Sequence, residues 1–439
     1  MNSMVRKSIL LLILLVIPLT DASAILNIDI VKGVSGAVPV AIVPFGWQIQ
    51  GVMPSEDVAG VVSSDLTRSG RFKSIAPKSM LEKPTEASSI NFTNWRVLGV
   101  SDLVIGRIKP ASSGNYSIEF QLFNVYTGQQ LMGYSVLTGP KQLRHAAHLI
   151  SNMIYQKLTG QRGAFDTHIA YVEISGTGAS NHYALVVADA DGANAQTVFQ
   201  SNQPILSPDW SPDGKSLAYV SFEHIQPAIY VQNIYSGART LLTDKPGLNS
   251  APAFSPDGKS LALVLSSSPG NPDVYVMDLA SRKLRRITHS DAIDTEPVWA
   301  PDGRSLYFTS DRGGSPQIYR ISLSGGEPQR ITFDGNYNAR PRISPDGRTL
   351  AMVHRESGHL HIAVMDLNTG VLQSLTDGDL DKSPSFAPNG AMIIYEATYH
   401  GQGVLAEVSI DGQVRERLSE NRSAIDVHAP VWGPFPPGG

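Results

Sequence analysis

A five-residue motif returns five times in the second half of the chain. Its copies are Ser211-Pro212-Asp213-Gly214-Lys215, Ser255-Pro256-Asp257-Gly258-Lys259, Ala300-Pro301-Asp302-Gly303-Arg304, Ser344-Pro345-Asp346-Gly347-Arg348 and Ala387-Pro388-Asn389-Gly390-Ala391. Their third residues stand 44, 45, 44 and 43 apart. A period of about 40–45 residues is the length of a four-stranded propeller blade. The motif itself reads as a hairpin turn. Proline suits the second turn position because its φ is already set, Asp or Asn follows, and Gly takes the left-handed position that closes a bulged loop.

The flanks repeat as well. Pro-x-aromatic or a close variant precedes each turn: Pro208-Asp209-Trp210, Pro252-Ala253-Phe254, Pro297-Val298-Trp299, Pro341-Arg342-Ile343 and Pro384-Ser385-Phe386. An apolar run such as Leu261-Ala262-Leu263-Val264 follows each one. Near the end of the chain, Pro430-Val431-Trp432-Gly433-Pro434 restates the start of a blade whose other strands are missing. Residues 168–172, 183–187 and 196–199 can supply them. The C-terminal strand is therefore expected to pair near residue 170, closing a six-bladed all-β propeller and removing its open edges.

Residues 25–160 lack this period and read as a small N-terminal α/β domain. Val38 to Val43 is an apolar strand, and residues 54–69 have helical spacing. Residues 102–109, 116–126 and 130–137 form a three-strand meander. In residues 141–158, Leu143, Ala146, Ala147, Ile150, Ile154 and Leu158 share one helix face. Residues 161–165 are the expected linker, and residues 166–439 the propeller.

The start of the chain reads as an address. Arg6 and Lys7 precede an aliphatic run from Ile9 to Ile17, and Ala22 and Ala24 provide the small residues of a signal-peptidase site. The run is shorter than the roughly 20 residues a membrane-spanning helix needs. Residues 1–24 are thus expected to be a secretory signal peptide, leaving a monomeric mature chain without a membrane span. There is no cysteine, which excludes disulfides, thiolate catalysis, Cys-ligated zinc and lipoprotein acylation. A net charge of −4 argues against nucleic acid as a partner.

Catalytic readings find little support. No Gly-x-Ser-x-Gly elbow occurs. His359 and His361 would share one side of a strand but are expected on a loop and a solvent face, while His145 and His148 are expected at a surface or in interdomain packing. The turn aspartates belong to different blades, too dispersed for one calcium site. No catalytic residue, metal ligand or cofactor is assigned; an ion in the central channel stays open. The alternative to an interaction protein is a secreted propeller hydrolase or small-ligand binder with its site in that channel.

The mature chain resembles the TolB family, periplasmic components of the Tol–Pal system. The resemblance is carried by the signal peptide, the α/β domain with Pro39-Val40-Ala41-Ile42-Val43-Pro44-Phe45, the junction Leu158-Thr159-Gly160-Gln161-Arg162-Gly163-Ala164-Phe165, and six repeats closed at the C-terminus. It implies a non-enzymatic protein that binds the peptidoglycan-associated lipoprotein Pal and the inner-membrane-anchored TolA. It also implies a role in outer-membrane constriction and envelope integrity, and leaves open whether outer-membrane porins bind too. The residues just before each innermost strand should line the channel mouth. On the family's pattern that face accepts the lipoprotein, which points to Asn249, Ala251, Thr295, Glu296, Arg340, Lys382 and His428. The family's N-terminal segment is the TolA epitope, which points to Ile25, Leu26, Asn27, Ile28, Asp29, Ile30 and Val31 within the exposed segment 25–36. From Leu26 to Ile30 this segment alternates, as a strand added to a sheet edge would.

Overall fold

The computed structural model describes residues 29–32, 36–50, 54–266, 270–418 and 425–437. The expected signal peptide with Ala22 and Ala24, and residues 25–28, lie outside the described residues. Asp29–Lys32 forms β1, described below. The α/β domain then runs β2 (Val38–Ile42), β3 (Gly46–Trp47), α1 (Val58–Arg68), β4 (Phe72–Ser74), α2 (Phe92–Val97), β5 (Asp102–Pro110), β6 (Tyr116–Asn124), β7 (Gln130–Thr138) and α3 (Leu143–Thr159). Its sheet has the order β4-β2-β5-β6-β7, with β3 paired to β5. The connection from β2 through α1 to β4 is parallel, as is the pairing of β2 with β5.

Both faces of this sheet are covered. On one side α1 and α3 lie against Val40, Ile42, Val104, Ile118, Phe120 and Leu122. Leu143, Ala146, Ala147, Ile150 and Ile154 of α3 are buried there, the face expected from their spacing. On the other side Trp95 of α2 packs with Ala41, Val43, Leu103, Ile105 and Phe123. The helix α3 ends at Gly160, whose φ of 78° lets its N–H reach the Gln156 carbonyl. Elements as short as β3, β4 and α2 carry too few residues to display a hydrophobic period, so they escape a reading by pattern.

The rest of the described chain is a six-bladed propeller. Blades two to six each run outward from an innermost strand: Ile205–Trp210, Asn249–Phe254, Asp294–Trp299, Asn338–Ile343 and Lys382–Phe386. The first blade is composite. Its outer strands are His168–Ser175, His182–Asp189 and Gln196–Ser201, and its innermost strand is Ile425–Trp432 from the C-terminus. Val431 stands opposite Ala170 and Trp432 opposite Ile169, so the ring closes where the broken repeat predicts.

The repeated turns behave as their chemistry requires. Gly214, Gly258, Gly303, Gly347 and Gly390 have φ between 67° and 73°. In three of them the serine hydroxyl donates to the turn aspartate, as in Ser255 Oγ to Asp257 Oδ1 at 2.6 Å, and accepts from the backbone beyond the turn. Burial follows the blade pattern: Leu217, Leu261, Leu306, Leu350 and Ile393, at equivalent positions, are all fully buried between sheets.

The two domains meet along the first and sixth blades. Phe165, at the junction, stacks edge-on against Tyr155 of α3 at 5.6 Å. Gln161 Nε2 donates to the Asn389 carbonyl, and Asn389 Nδ2 donates back to the Arg162 carbonyl. Charged groups complete the contact. Arg144 of α3 reaches Asp191 in the first blade, and Arg68 of α1 reaches Glu407 in the sixth. His148, expected at a surface or between domains, is buried between Asp65 and Asp191, an interdomain position.

Candidate functional site

Each innermost strand carries the same irregularity. Pairing with the second strand slips between Leu206 and Asp209, Ser250 and Ala253, Thr295 and Val298, Ala339 and Arg342, Lys382 and Ser385, and His428 and Val431. These are β-bulges, which bend a strand and re-aim its side chains. At each bulge one residue immediately before a proline has a left-handed backbone. They are Ser207, Ala251, Glu296, Arg340, Ser383 and Ala429, with φ between 47° and 55°. None is glycine, and such backbone costs on the order of 1–3 kcal/mol per residue. The strain falls in a ring, one residue per blade, around a channel cavity of about 310 Å³ that all six line.

The ring is not uniform. Ser207 and Ala251 present small side chains on one arc. In the next two blades Glu296 and Arg340 form an ion pair at 3.1 Å. Glu296 also accepts from the Arg340 backbone N–H and from Thr309 Oγ1, both at 2.9 Å. Arg340 Nη1 donates onward to Ser383 Oγ at 2.6 Å. Three consecutive blades are thereby linked through side chains at the throat. With Arg340 43 % exposed, the guanidinium remains accessible from the channel side.

A second linkage joins the sixth blade to the closing strand. Glu396 accepts from His428 Nδ1 at 2.9 Å and from the Ala429 N–H at 3.2 Å, with Lys382 Nζ at 3.7 Å. Burial would raise this carboxyl, yet the His428 hydrogen bond and the neighbouring charges hold it below the ordinary Glu range. His428 and Lys382 are each about one-third exposed, at 35 % and 31 %.

The seven mouth residues singled out from sequence thus fall in different surroundings. Ala251, Glu296 and Arg340 line the channel cavity. Thr295 is half-buried in the same strand, one residue before the bulge. Lys382 and His428 flank Glu396. Asn249 is fully buried: it accepts from Thr243 Oγ1 and donates to the Lys245 carbonyl, which shapes the loop entering the third blade. Glu396 was missed by sequence reasoning, because it lies in a second strand with no motif to mark it.

The N-terminal segment lies against the propeller. Asp29–Lys32 adds antiparallel to Arg415–Arg417, the outermost strand of the sixth blade, with Asp29 opposite Arg417, Ile30 opposite Glu416 and Lys32 opposite Arg415. It is a fifth strand on a four-stranded blade, attached through backbone pairing at an edge.

Two family models cover most of the chain: the TolB amino-terminal domain matches residues 26–131 and the TolB beta propeller domain residues 155–436. The Tol-Pal system protein TolB of Thioalkalivibrio sulfidiphilus is 53% identical over 436 residues, 99% of each chain. That of Xanthomonas campestris pv. campestris is 48% identical over 412 residues, 93% of each. A crystal structure of TolB from Acinetobacter baumannii superposes with a TM-score of 0.86 at 42% identity, covering 93% of this chain and 100% of that one.

Proposed function

The chain belongs to the TolB family, and from that membership we propose that it docks Pal at the channel mouth and TolA through its N-terminal segment. Its role is a non-enzymatic, periplasmic one in the Tol–Pal system, carried by likeness to TolB over nearly its whole length. No described helix is long and apolar enough to cross a membrane. By the same membership the interactions support outer-membrane constriction and envelope integrity.

The observation that most favours the mouth is the strained ring. Backbone held in left-handed conformation at six non-glycine positions is costly, and function is one reason for such strain to persist. It sets Thr295, Glu296 and Arg340 at the rim with polar groups that a protein ligand can meet. Thr295→Arg adds a long cation beside Arg340 and the neighbouring blade. We expect at least a tenfold loss of affinity for purified Pal, read by calorimetric titration, with unchanged circular dichroism. Binding as tight as that of the unmodified protein would remove this site.

For TolA the supporting feature is the added strand. Edge pairing of a short segment is the mode by which such a segment can be exchanged between its own sheet and a partner. Deleting residues 25–36 should abolish TolA binding and leave the unfolding transition of the propeller intact. Retained TolA binding by the folded deletion variant would refute the assignment.

A further inference from the structure

Beneath the added strand β1 lies a pair of carboxyls that the docking surfaces do not use. Glu407 and Glu416 stand directly opposite each other on the last two strands of the sixth blade, Gln402–Ser409 and Arg415–Arg417. Glu407 is 0% and Glu416 1% exposed. Among the described residues only Glu407 has a hydrogen-bonded cation: Arg68 Nη1 lies 3.2 and 3.3 Å from its two oxygens. Both oxygens of Glu416 are buried and have no hydrogen-bond partner among the described residues.

The surroundings do not balance this charge. From α1, Arg68 faces the pair together with Asp65, which lies 3.4 Å from the same guanidinium. From the first blade Asp191 approaches, already paired with Arg144. From α3, His148 sits between Asp65 and Asp191, and Arg144 also holds Glu56 and lies 4.0 Å from Asp189. On the outer side the neighbouring strand carries Asp29 and Lys32 at register positions opposite Arg417 and Arg415. Arg415 pairs with Asp377, and Arg417 lies over the Tyr399 ring at 3.8 Å. Among the described side chains one guanidinium therefore serves two adjacent buried carboxyls and Asp65 as well. Two like charges this close, away from water, do not both ionise; the pair keeps a proton.

We propose that the Glu407–Glu416 pair is a proton-operated latch on the edge of the sixth blade. With one proton shared, the two strands close against α1 and the edge strand Arg415–Arg417 holds β1 in register. When the proton leaves to solvent, the carboxylates repel across the last strand pair. That strand is three residues long, and β1 hangs on its far side, so the charge loosens the attachment of β1 first. Burial pushes Glu416 up to about 8 and Glu407 to about 7, against the opposing pull of Arg68, which places release in the neutral to mildly alkaline range. The sign follows from linkage. A carboxyl raised in the folded state favours that state at acid pH, and the advantage is lost as pH rises from the ordinary Glu value through the raised one. Burial lowers His148, but the neighbouring Asp65 and Asp191 outweigh it and hold the imidazole above its ordinary range. The latch goes beyond the partner assignments and does not depend on either: it is a property of the free chain.

The test is hydrogen exchange by mass spectrometry on the free full chain, corrected for intrinsic rates, at about pH 6.5 and about pH 8.5. Opening of the segments containing Asp29–Lys32 and Arg415–Arg417 should rise on the order of tenfold between the two. Glu416→Gln, which keeps the shape and removes the titration, should flatten that rise. Glu407→Gln carries the same expectation and serves if Glu416→Gln does not fold. Infrared spectra of the native protein should show the carbonyl band of a protonated carboxyl at the lower pH and its loss at the higher. Opening that does not change with pH, a rise in the glutamine variant equal to that of the native chain, or no protonated carboxyl at the lower pH would each overturn the latch.

Discussion

Replacing Trp432 with alanine is expected to destabilise the propeller by about 3–5 kcal/mol, the usual cost of removing a buried tryptophan. The indole is 7% exposed and packs with Ala164, Ile169, Tyr171, Met392 and Leu405, residues of the junction and of the first and sixth blades. Its Nε1 donates to Thr167 Oγ1 at 2.8 Å, and its backbone N–H donates to Ser385 Oγ at 3.0 Å. Trp432 thus holds both sides of the seam where the ring is completed. Trp299 provides the comparison: it occupies the equivalent position in the fourth blade, is 8% exposed and donates to the Ala253 carbonyl at 3.0 Å. Both losses remove similar packing, but only Trp432→Ala also opens the seam. Urea unfolding should therefore show the larger loss for Trp432→Ala, with a broader transition as blades at the seam fray before the rest. Equal losses in the two variants would mean that closure contributes nothing beyond local packing.

Removal of Arg68 should cost a similar amount, about 3–5 kcal/mol near neutral pH, because it leaves buried acids without their cation. Arg68 is 3% exposed and ties α1 to the Ala190 carbonyl of the first blade as well as to Glu407 of the sixth. Its loss therefore loosens the domain interface as well as an ion pair. The cost should depend on pH. In Arg68→Ala, Glu407 loses the influence that opposes its burial, so its already raised value climbs further. Below the native Glu407 value of about 7 the carboxyl is neutral in the folded native chain and in the folded variant alike, so the penalty is smallest there. It grows as pH rises above that value, where the native carboxylate ionises beside Arg68 and the variant carboxyl does not. Thermal unfolding at about pH 5 and about pH 8 should show a gap between variant and native that widens with pH. Replacing both partners with apolar residues, Arg68→Met with Glu407→Leu, should recover most of the loss. A pH-independent gap would show that Arg68 acts through packing alone.

Much of the architecture was legible along the chain because it rests on local rules repeated six times. The Pro-Asp-Gly turns declare hairpins, their interval declares the blade, and the orphaned Pro430-Val431-Trp432 declares where the ring is sewn. The buried face of α3 was legible from spacing. The bulges were not, although Pro208, Pro252, Pro297, Pro341, Pro384 and Pro430 mark their positions. A residue before proline is expected in extended backbone, yet at all six bulges around the channel it is left-handed. Asn249 shows the same limit: its place beside a mouth suggests presentation, yet the loop turns it inward to satisfy Thr243 and Lys245.

The sequence by itself determined the number of blades, their order and their closure, because turn chemistry and hydrophobic alternation act between residues close in the chain. Only the tertiary structure decided that Arg68 meets Glu407, 339 positions away, that Glu296 reaches into the neighbouring blade, and that Asp29–Lys32 joins the sixth blade instead of the α/β sheet. These pairings are set by how whole sheets and helices pack, and a charged residue carries no mark of which distant partner its burial will supply.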